Sequence, residues 1–386
     1  MRKPTASIVD HFQELVDPRI ERNKKHTLID IIVLTICAVI TGSETWEEIE
    51  DYGHYKEDWL KSFIALENGI PSHDTIRRLF IRLNPDELQR CFMSWIESVR
   101  DVIAGDVIAV DGKTLRRSGE QVSGKSPIHM VSAWAAGTGM ILGQKKTDEK
   151  SNEITAIPAL LELLKIKGCI VTIDAMGCQT EIGKTIRKKK ADYVFALKGN
   201  QKNLHEDVKY FFHELDEKDL GEEWLDNHKT VDKDHGRIEI REYYQSNEID
   251  WLPELKKNFA GAKTIGMVKA TRIIGTKKST ECRYYISSLA MNAKRFAHAV
   301  RSHWSVENTL HWTLDMTFRE DDSRMREGYS AENFAMMRRL ALSLMKRDKN
   351  SKRSLKRRRR ICHLDDAYLA QLLFSSDDAI DSRLPG

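Results

Sequence analysis

Apolar positions in the first hundred residues recur at three- and four-residue spacing, the period of a helix with one buried face. Residues 28–40, 46–59, 73–82 and 85–99 each carry such a stripe, so a helical N-terminal region is predicted over 1–100. The stretch 29–40 (IDIIVLTICAVI) is apolar almost throughout and contains Asp30. Its 12 positions fall short of the roughly 20 that a membrane span needs, and it reads as a buried helix. It follows a basic, polar segment and has no small-residue cleavage site behind it, so no signal peptide is expected. Pro71, Ser72, His73 and Asp74 precede the basic amphipathic stretch 75–80, a start signal for a short helix bearing Arg77, Arg78 and Arg82. That helix either rests against an anionic polymer such as DNA or forms the solvated face of a helical bundle.

At residue 106 the pattern changes to compact apolar runs. Residues 106–110 (DVIAV) read as a strand ending at Asp111, and 127–135 and 140–145 as two strands around Gly137 and Gly139. Residues 153–165 are an amphipathic helix, 168–173 a buried strand ending at Asp174, 180–190 a helix and 192–197 a strand. The order strand, strand, strand, helix, strand, helix, strand predicts a mixed α/β sheet with helices on its faces. Residues 200–290 break this rhythm with alternating polar segments such as 237–244 and 264–273, and read as a β-rich insertion. Residues 296–318 and 331–346 return to helix. The division expected is therefore 1–100 helical, 101–199 first part of the α/β domain, 200–290 insertion, 291–347 completion of the domain, and 348–386 a basic tail.

The 386 residues include 41% hydrophobic and 31% charged positions, the balance of a globular chain rather than a disordered or membrane one. Net charge is only +4, but it is uneven: residues 346–360 (KRDKNSKRSLKRRRR) hold one acid among many bases. Such a run is either a solvated surface or a phosphate-binding patch. The six cysteines are scattered with no CxxC pair, which fits reduced thiols of a cytoplasmic protein.

The candidate chemistry lies in carboxylates. Asp111 and Asp174 each follow an apolar strand and precede Gly112 or Ala175. Neighbouring strands of one sheet would bring them to the same edge, where a divalent cation can offset the unfavourable burial of charge. The bland alternative is a pair of turn residues. Glu307 lies at four-residue spacing between His303 and His311, one stripe of a helix that can dock on the sheet and aim Glu307 at the aspartates. The same trio also fits a plain helix-face cluster or a zinc site. Three carboxylates suit two-metal phosphoryl transfer, in which one ion activates water or a 3′-hydroxyl and the other stabilises the leaving oxygen. Oxygen ligands favour Mg²⁺ or Mn²⁺. Asp148, Glu149 and Glu153 are further acids near the sheet and are not assigned as ligands.

At these residues the chain resembles a known family. Residues 34–42 (LTICAVITG), 107–116 (VIAVDGKTLR), 146–158 (KTDEKSNEITAIP), 172–179 (TIDAMGCQ), 192–201 (DYVFALKGNQ), 235–242 (HGRIEIRE) and 301–315 (RSHWSVENTLHWTLD) are similar to the ISAs1-family insertion-sequence transposases. Within these, the likeness is to the H-repeat-associated proteins of Rhs elements, a DDE-type group related to IS4-like enzymes. It covers roughly residues 8–347. The resemblance implies an RNase H-like catalytic domain with a β-insertion, a helical N-terminal domain, and Asp111, Asp174 and Glu307 as the catalytic, metal-holding triad. IS4-like enzymes carry Tyr-x2-Arg-x3-Glu-x6-Lys around the third carboxylate; here Val300, His303, Glu307 and Leu314 occupy those positions. His303 then stands as a candidate phosphate contact in place of the arginine.

Lys113, Arg116 and Arg117 follow the first aspartate and can hold strand phosphates, or form a solvated loop. Lys198 opens a turn, Lys198-Gly199-Asn200-Gln201, that either contacts DNA or shapes the start of the insertion. Trp304 and Trp312 can stack on an unpaired base, although packing is the commoner role. The reading is a metal-dependent DNA transposase acting on double-stranded DNA, as a homodimer on its element ends, cytoplasmic and nucleoid-associated. The alternatives are a catalytically silent DNA-binding remnant and an RNase H-like nuclease without strand transfer.

Overall fold

The computed structural model describes residues 8–99, 104–119, 126–147, 153–215, 218, 220–234, 236–348 and 351–374. The N-terminal helices are α1 (Ile8–Phe12), α2 (Leu28–Thr41), α3 (Trp46–Tyr55), α4 (Glu57–Leu60), α5 (His73–Arg82) and α6 (Pro85–Val99). Their starts follow from local chemistry. The side chains of Thr27, Ser72 and Thr45 accept from backbone N–H groups of the first turns of α2, α5 and α3, and Glu48 returns the bond to Thr45 as a capping box. Pro85, which needs no donor, opens α6.

The sheet begins with β1 (Val107–Thr114), β2 (His129–Ala135) and β3 (Met140–Lys146). Helix α7 (Glu153–Leu163) leads to β4 (Ile170–Ile173), and α8 (Thr180–Lys188) to β5 (Asp192–Leu197). After α9 (Lys202–His213) come β6 (Leu225–Asp234), β7 (Arg237–Ser246), α10 (Pro253–Asn258), β8 (Thr264–Ile274) and β9 (Lys277–Ser287). The nine strands form one sheet in the order β3-β2-β1-β4-β5-β9-β8-β7-β6. β1 pairs antiparallel with β2 and parallel with β4, and β4 pairs parallel with β5. This is the mixed α/β, RNase H-like core that the sequence leads one to expect. The insertion is β-rich as read, but it is not a separate sheet: β9 adds antiparallel to β5 through Val194↔Ser287 to Leu197↔Tyr284.

Helix α11 (Ala293–Ser305) crosses one face, packing on β1, β4, β5, β6 and β7. Alternation along the strands supplies its bed: Val107, Ile170, Val194, Tyr243, Val268 and Tyr285 are buried beneath it. Gly266 has a steric reason, because a Cβ there would lie 2.6 Å from Cζ of Phe296. The opposite face buries Ile108, Val110, Val171, Ile173, Tyr193 and Phe195 in the main core.

The chain continues through a π-helical turn (Val306–His311) into α12 (Trp312–Met316), then α13 (Ser330–Arg347), α14 (Leu355–Leu364) and α15 (Asp366–Phe374). Helix α13 is buried almost all round and packs on α2, α5, α6 and β3. At roughly 1.5–3 kcal/mol for each large apolar side chain buried, it is a main prop of the N-terminal helices. Those helices share one core with residues from 330 onward.

The basic tail expected from residue 348 is helical over part of its length. Residues 351–374 fold into α14 and α15, and Arg358 and Arg359 point inward. Arg358 donates to the carbonyls of Met345 (2.7 Å) and Asp348 (2.8 Å). Arg359 donates to those of Ile40 (3.2 Å), Val39 (2.8 Å) and Thr317. The helix period explains the split: the run of bases places two arginines on the docked side, while Lys356, Arg357 and Arg360 stay exposed. Residues 375–386 lie outside the described residues.

No single described helix is long and apolar enough to cross a membrane. No disulfide joins the cysteines, and five of the six are buried.

Candidate active site

Val110 on β1 is the register partner of Ile173 on β4, and the strands run parallel. The next residues, Asp111 and Asp174, therefore bring two carboxylates to the same edge. One expectation changes in detail. β4 stops before Asp174, but β1 runs on through Asp111, which pairs with Ser132 of β2. Asp111 is a mid-strand residue at the level where its neighbour ends. Side-chain alternation turns it toward the face covered by α11.

Helix α11 delivers Glu307 through the π turn. A π turn is wider than an α turn and is often found where a side chain must be re-aimed. It divides the stripe of His303, Glu307 and His311 among three roles. His303 turns inward, with Nδ1 3.1 Å from the Thr172 hydroxyl, and burial pushes its pKa down to about 4. Glu307 is exposed. The Nδ1 of His311 stands 3.7 Å from Oδ2 of Asp111, and its pKa is pushed to about 3, chiefly by burial and then by the nearby charges of Lys113 and Arg339. Both imidazoles are thus neutral at physiological pH.

The electrostatics mark Asp111 as the focus. Burial, and after it the like charges of Glu153, Asp174 and Glu307, raises its carboxyl to about 7. Asp174 is also raised by burial, against the hydrogen bond from the backbone N–H of Gly177 (3.2 Å) and one from Met176. The cation nearest in sequence is committed elsewhere: the Lys113 ammonium bonds Asp315 at 2.7 Å and Asp321 at 3.1 Å.

Among the described residues no group of three or more His, Cys, Asp or Glu side chains stands closed around a point that would hold a metal ion. The donor chemistry nevertheless suits one. The donors are carboxylate oxygens, those of Asp111 and Asp174 half-buried, whose like charges meet at Asp111, and Nε2 of the neighbouring His311 is buried with no hydrogen-bond partner among the described residues. A hard divalent cation would offset the crowded charge.

The family described as Transposase DDE domain matches residues 104–344, and the one described as DDE_Tnp_1-associated matches residues 9–96. The chain belongs to the DDE transposases. It is 42% identical over 373 residues to the "H repeat-associated putative transposase YhhI" of Escherichia coli (strain K12), covering 96% of this chain and 98% of that protein. It is 41% identical over 376 residues to the "Putative transposase YncI" of Escherichia coli O157:H7, covering 96% and 95%. A stretch of 72 residues, 19% of this chain, is 49% identical to the "Inactive transposase YbfQ" of Escherichia coli (strain K12), covering 86% of that protein. Among solved structures, a piggyBac transposase synaptic complex with hairpin DNA aligns at TM-score 0.44 and 12% identity, covering 98% of this chain and 83% of that one.

Of the residues read from the sequence of this DDE transposase, Asp174 and Glu307 lie close enough to Asp111 for their charges to raise its carboxyl. Two proposed phosphate contacts are corrected: His303 is neutral and bonded to Thr172, and Lys113 is buried in ion pairs. Arg116 and Arg117 are exposed beside Asp321 (3.2 Å) and Asp322 (3.4 Å). Arg77 bonds Glu327 at 2.5 Å and Asp74 at 3.4 Å, while the more exposed Arg78 pairs with Asp74 (3.4 Å). Lys198 is exposed, and its charge lowers the Asp174 carboxyl against the effect of burial. Trp304 packs under the guanidinium of Arg283 at 4.2 Å, whereas Trp312 is exposed.

Two features escaped the sequence reading. The turn after β5 holds the loop after β4: Asn200 donates to the Ala175 carbonyl at 2.5 Å and Gln201 to that of Cys178 at 3.0 Å. Glu153, passed over as a spare acid, stands beside Asp111, while Asp148 and Glu149 fall outside the described residues. The signal available for Glu153 was its place at the start of an amphipathic helix directly after the third strand.

Proposed function

We propose that this chain is a DNA transposase that cuts and joins DNA at the terminal inverted repeats of an insertion sequence, with Mg²⁺ or Mn²⁺ held by Asp111, Asp174 and Glu307. The observation that carries the reading is the register match of Val110 with Ile173, which seats two half-buried carboxylates side by side under the helix that bears the third. A bound divalent ion would supply Lewis-acid stabilisation of the charge that develops on the phosphodiester oxygens.

The chain's own groups do the rest. Asn200 and Gln201 keep the Asp174 loop in place. His311, uncharged, leaves the carboxylates free for a cation rather than pairing with them. Exposed Arg78, Arg116, Arg117 and Lys198 would hold duplex phosphates, positioning DNA without reading its sequence. Joining two ends requires both to be held at once, which implies a homodimer on DNA, and the work is nucleoid-associated in the cytoplasm.

The open arrangement of the carboxylates favours a second reading, a catalytically silent DNA-binding protein. One assay separates the two. A supercoiled plasmid carrying both element ends is incubated with Mg²⁺ or Mn²⁺ and either the native chain or Asp174→Asn. Breaks at the ends that vanish in the variant are expected, with joined products marking transposition rather than nuclease action. Equal DNA binding without cleavage in both proteins would overturn the enzymatic reading.

A further inference from the structure

Residues 352–360 (KRSLKRRRR) hold many bases and no acid, and the carboxylate site makes no use of them. The fold turns this run into a fixed platform. The inward pair Arg358 and Arg359 bonds carbonyls at the ends of three other helices: Val39 and Ile40 of α2, Met345 of α13, and Thr317 just past α12. Those carbonyls have no partner within their own helices, so the two arginines satisfy them and lock α14 in place. The helix period then sends Lys356, Arg357 and Arg360 outward, with Lys352 exposed just before the helix.

These four outward cations are uncompensated. Among the described residues none of them pairs with an acid. Arg77, Arg78, Arg116 and Arg117 differ, each meeting a carboxylate. The acids nearest in sequence are engaged elsewhere: Asp348 with Arg358 and the Tyr368 hydroxyl, Asp365 with the first N–H groups of α15, and Asp366 with Lys56. Lys356 and Arg360 also border a groove whose other wall, on α3, carries Glu44, Glu48 and Asp51. Those acids repel a phosphate inside the groove and leave it the outer side of α14. Leu364 is the one exposed large hydrophobic residue of α14, so the helix lacks the apolar face that a lipid surface would take. Four like charges held on one rigid side suit a polyanion with regularly spaced phosphates.

The platform is also close to the carboxylates along the chain. Thr317, bonded by Arg359, follows the π turn and α12 that lead on from Glu307. The distance is roughly 15 Å of helix, at about 1.5 Å per residue, and a duplex turn is about 34 Å long. One short duplex can meet both places.

We propose that the outer side of α14, through Lys352, Lys356, Arg357 and Arg360, is a second DNA-backbone site that holds duplex phosphates beside the carboxylate edge without reading base sequence. It lies past residue 344, where the Transposase DDE domain match ends. The inference rests on DNA as the partner in the proposed function, and it does not depend on the metal.

The test is fluorescence anisotropy of the full chain on two labelled duplexes of equal length, one carrying an element end and one unrelated, from about 50 to 200 mM salt. Lys356→Gln, Arg357→Gln and Arg360→Gln combined should lower the salt slope by about 3 and weaken binding to both duplexes about a hundredfold in mid-range, with the melting point held. A control triple, Lys61→Gln, Lys165→Gln and Lys188→Gln, removes the same charge from exposed lysines that pair with Glu57, Glu97 and Glu162. It should change the slope by less than about 1. Equal losses in the two triples would overturn the proposal and leave an effect of net charge. A loss confined to the element end would overturn it in favour of base reading. Unchanged binding in the α14 triple, with affinity lost in Arg116→Gln and Arg117→Gln combined, would overturn it and leave DNA as the partner. Should the α14 triple fail to fold, Arg357→Gln alone decides: a slope lower by about 1 is expected, and an unchanged slope overturns the proposal. A native chain that binds neither duplex would overturn this proposal and the proposed function together.

Discussion

The side-chain amide of Asn200 donates to the main-chain carbonyl of Ala175 at 2.5 Å, so the residue after Asp174 is tied to the turn that ends the neighbouring strand. A loop carrying a reacting group gains accuracy from such a tie, because small displacements at the site reduce rates steeply. Asn200→Ala is expected to slow end cleavage roughly tenfold to a hundredfold, taking the effect of other supporting hydrogen bonds as a guide. Its melting point should fall only slightly, since one hydrogen bond contributes about 1 kcal/mol. A plasmid cleavage time course beside a thermal melt separates the two effects.

Asp111 gives a pH signature. Its folded-state carboxyl, raised to about 7, binds a proton that the unfolded chain has already released near the ordinary value of 3.8. Between those values the folded state holds more protons than the unfolded state, so stability falls as pH rises. The metal-free chain should lose melting temperature from about pH 4 to 7 through this group. Asp111→Asn should flatten that slope and melt above the native chain at pH 8 in EDTA. Parallel pH–melting curves for the two proteins would disprove the assignment.

Arg359 is a structural arginine in a basic run. Its guanidinium satisfies carbonyls of Val39, Ile40 and Thr317 and lies 4.3 Å over the ring of Phe318. Arg359→Ala leaves those buried groups without a donor and is expected to destabilise by about 3 kcal/mol or more, several unmet hydrogen bonds at about 1–3 kcal/mol each. Arg357→Ala, on the exposed side of the same helix, should leave stability within about 0.5 kcal/mol. Urea denaturation of both variants checks the contrast.

Arg116 and Arg117 should behave as phosphate contacts without base preference. Each alanine variant is expected to weaken DNA binding equally for element ends and unrelated duplex, and to reduce the salt slope by about 1. Lys113→Ala should differ: its ammonium is held by Asp315 and Asp321, so the loss should appear in melting temperature before salt dependence. Binding titrations at several salt concentrations distinguish them.

The order of strands and helices through residue 197 was legible because each element carries its own period. The pairing of Asp111 with Asp174 followed from two apolar runs that each stop at an aspartate. What the pattern could not show is register across the chain. β9 joins the core sheet through Tyr284 to Ser287, a partnership that no local signal announces. His303 illustrates a second limit. Four-residue spacing put it on a stripe with Glu307, but an inserted π turn separates the two, and periodicity cannot foresee a change of helix type. Glu153 shows a third limit: its place against β1 depends on the absence of a side chain at Gly112, 41 residues earlier.

Helix α13 fills the space among α2, α5 and α6, and its residues lie near the end of the matched family region. The first hundred residues thus leave the ribosome long before the piece that completes their core. Until residues 330–347 emerge, the nascent helices carry an apolar groove that only the chain's own later segment, or a chaperone, can cover. Folding of the N-terminal half is therefore timed by the synthesis of the C-terminal half. Limited proteolysis of ribosome-bound chains of increasing length would show it, with residues 8–99 becoming resistant only after α13 has cleared the exit tunnel.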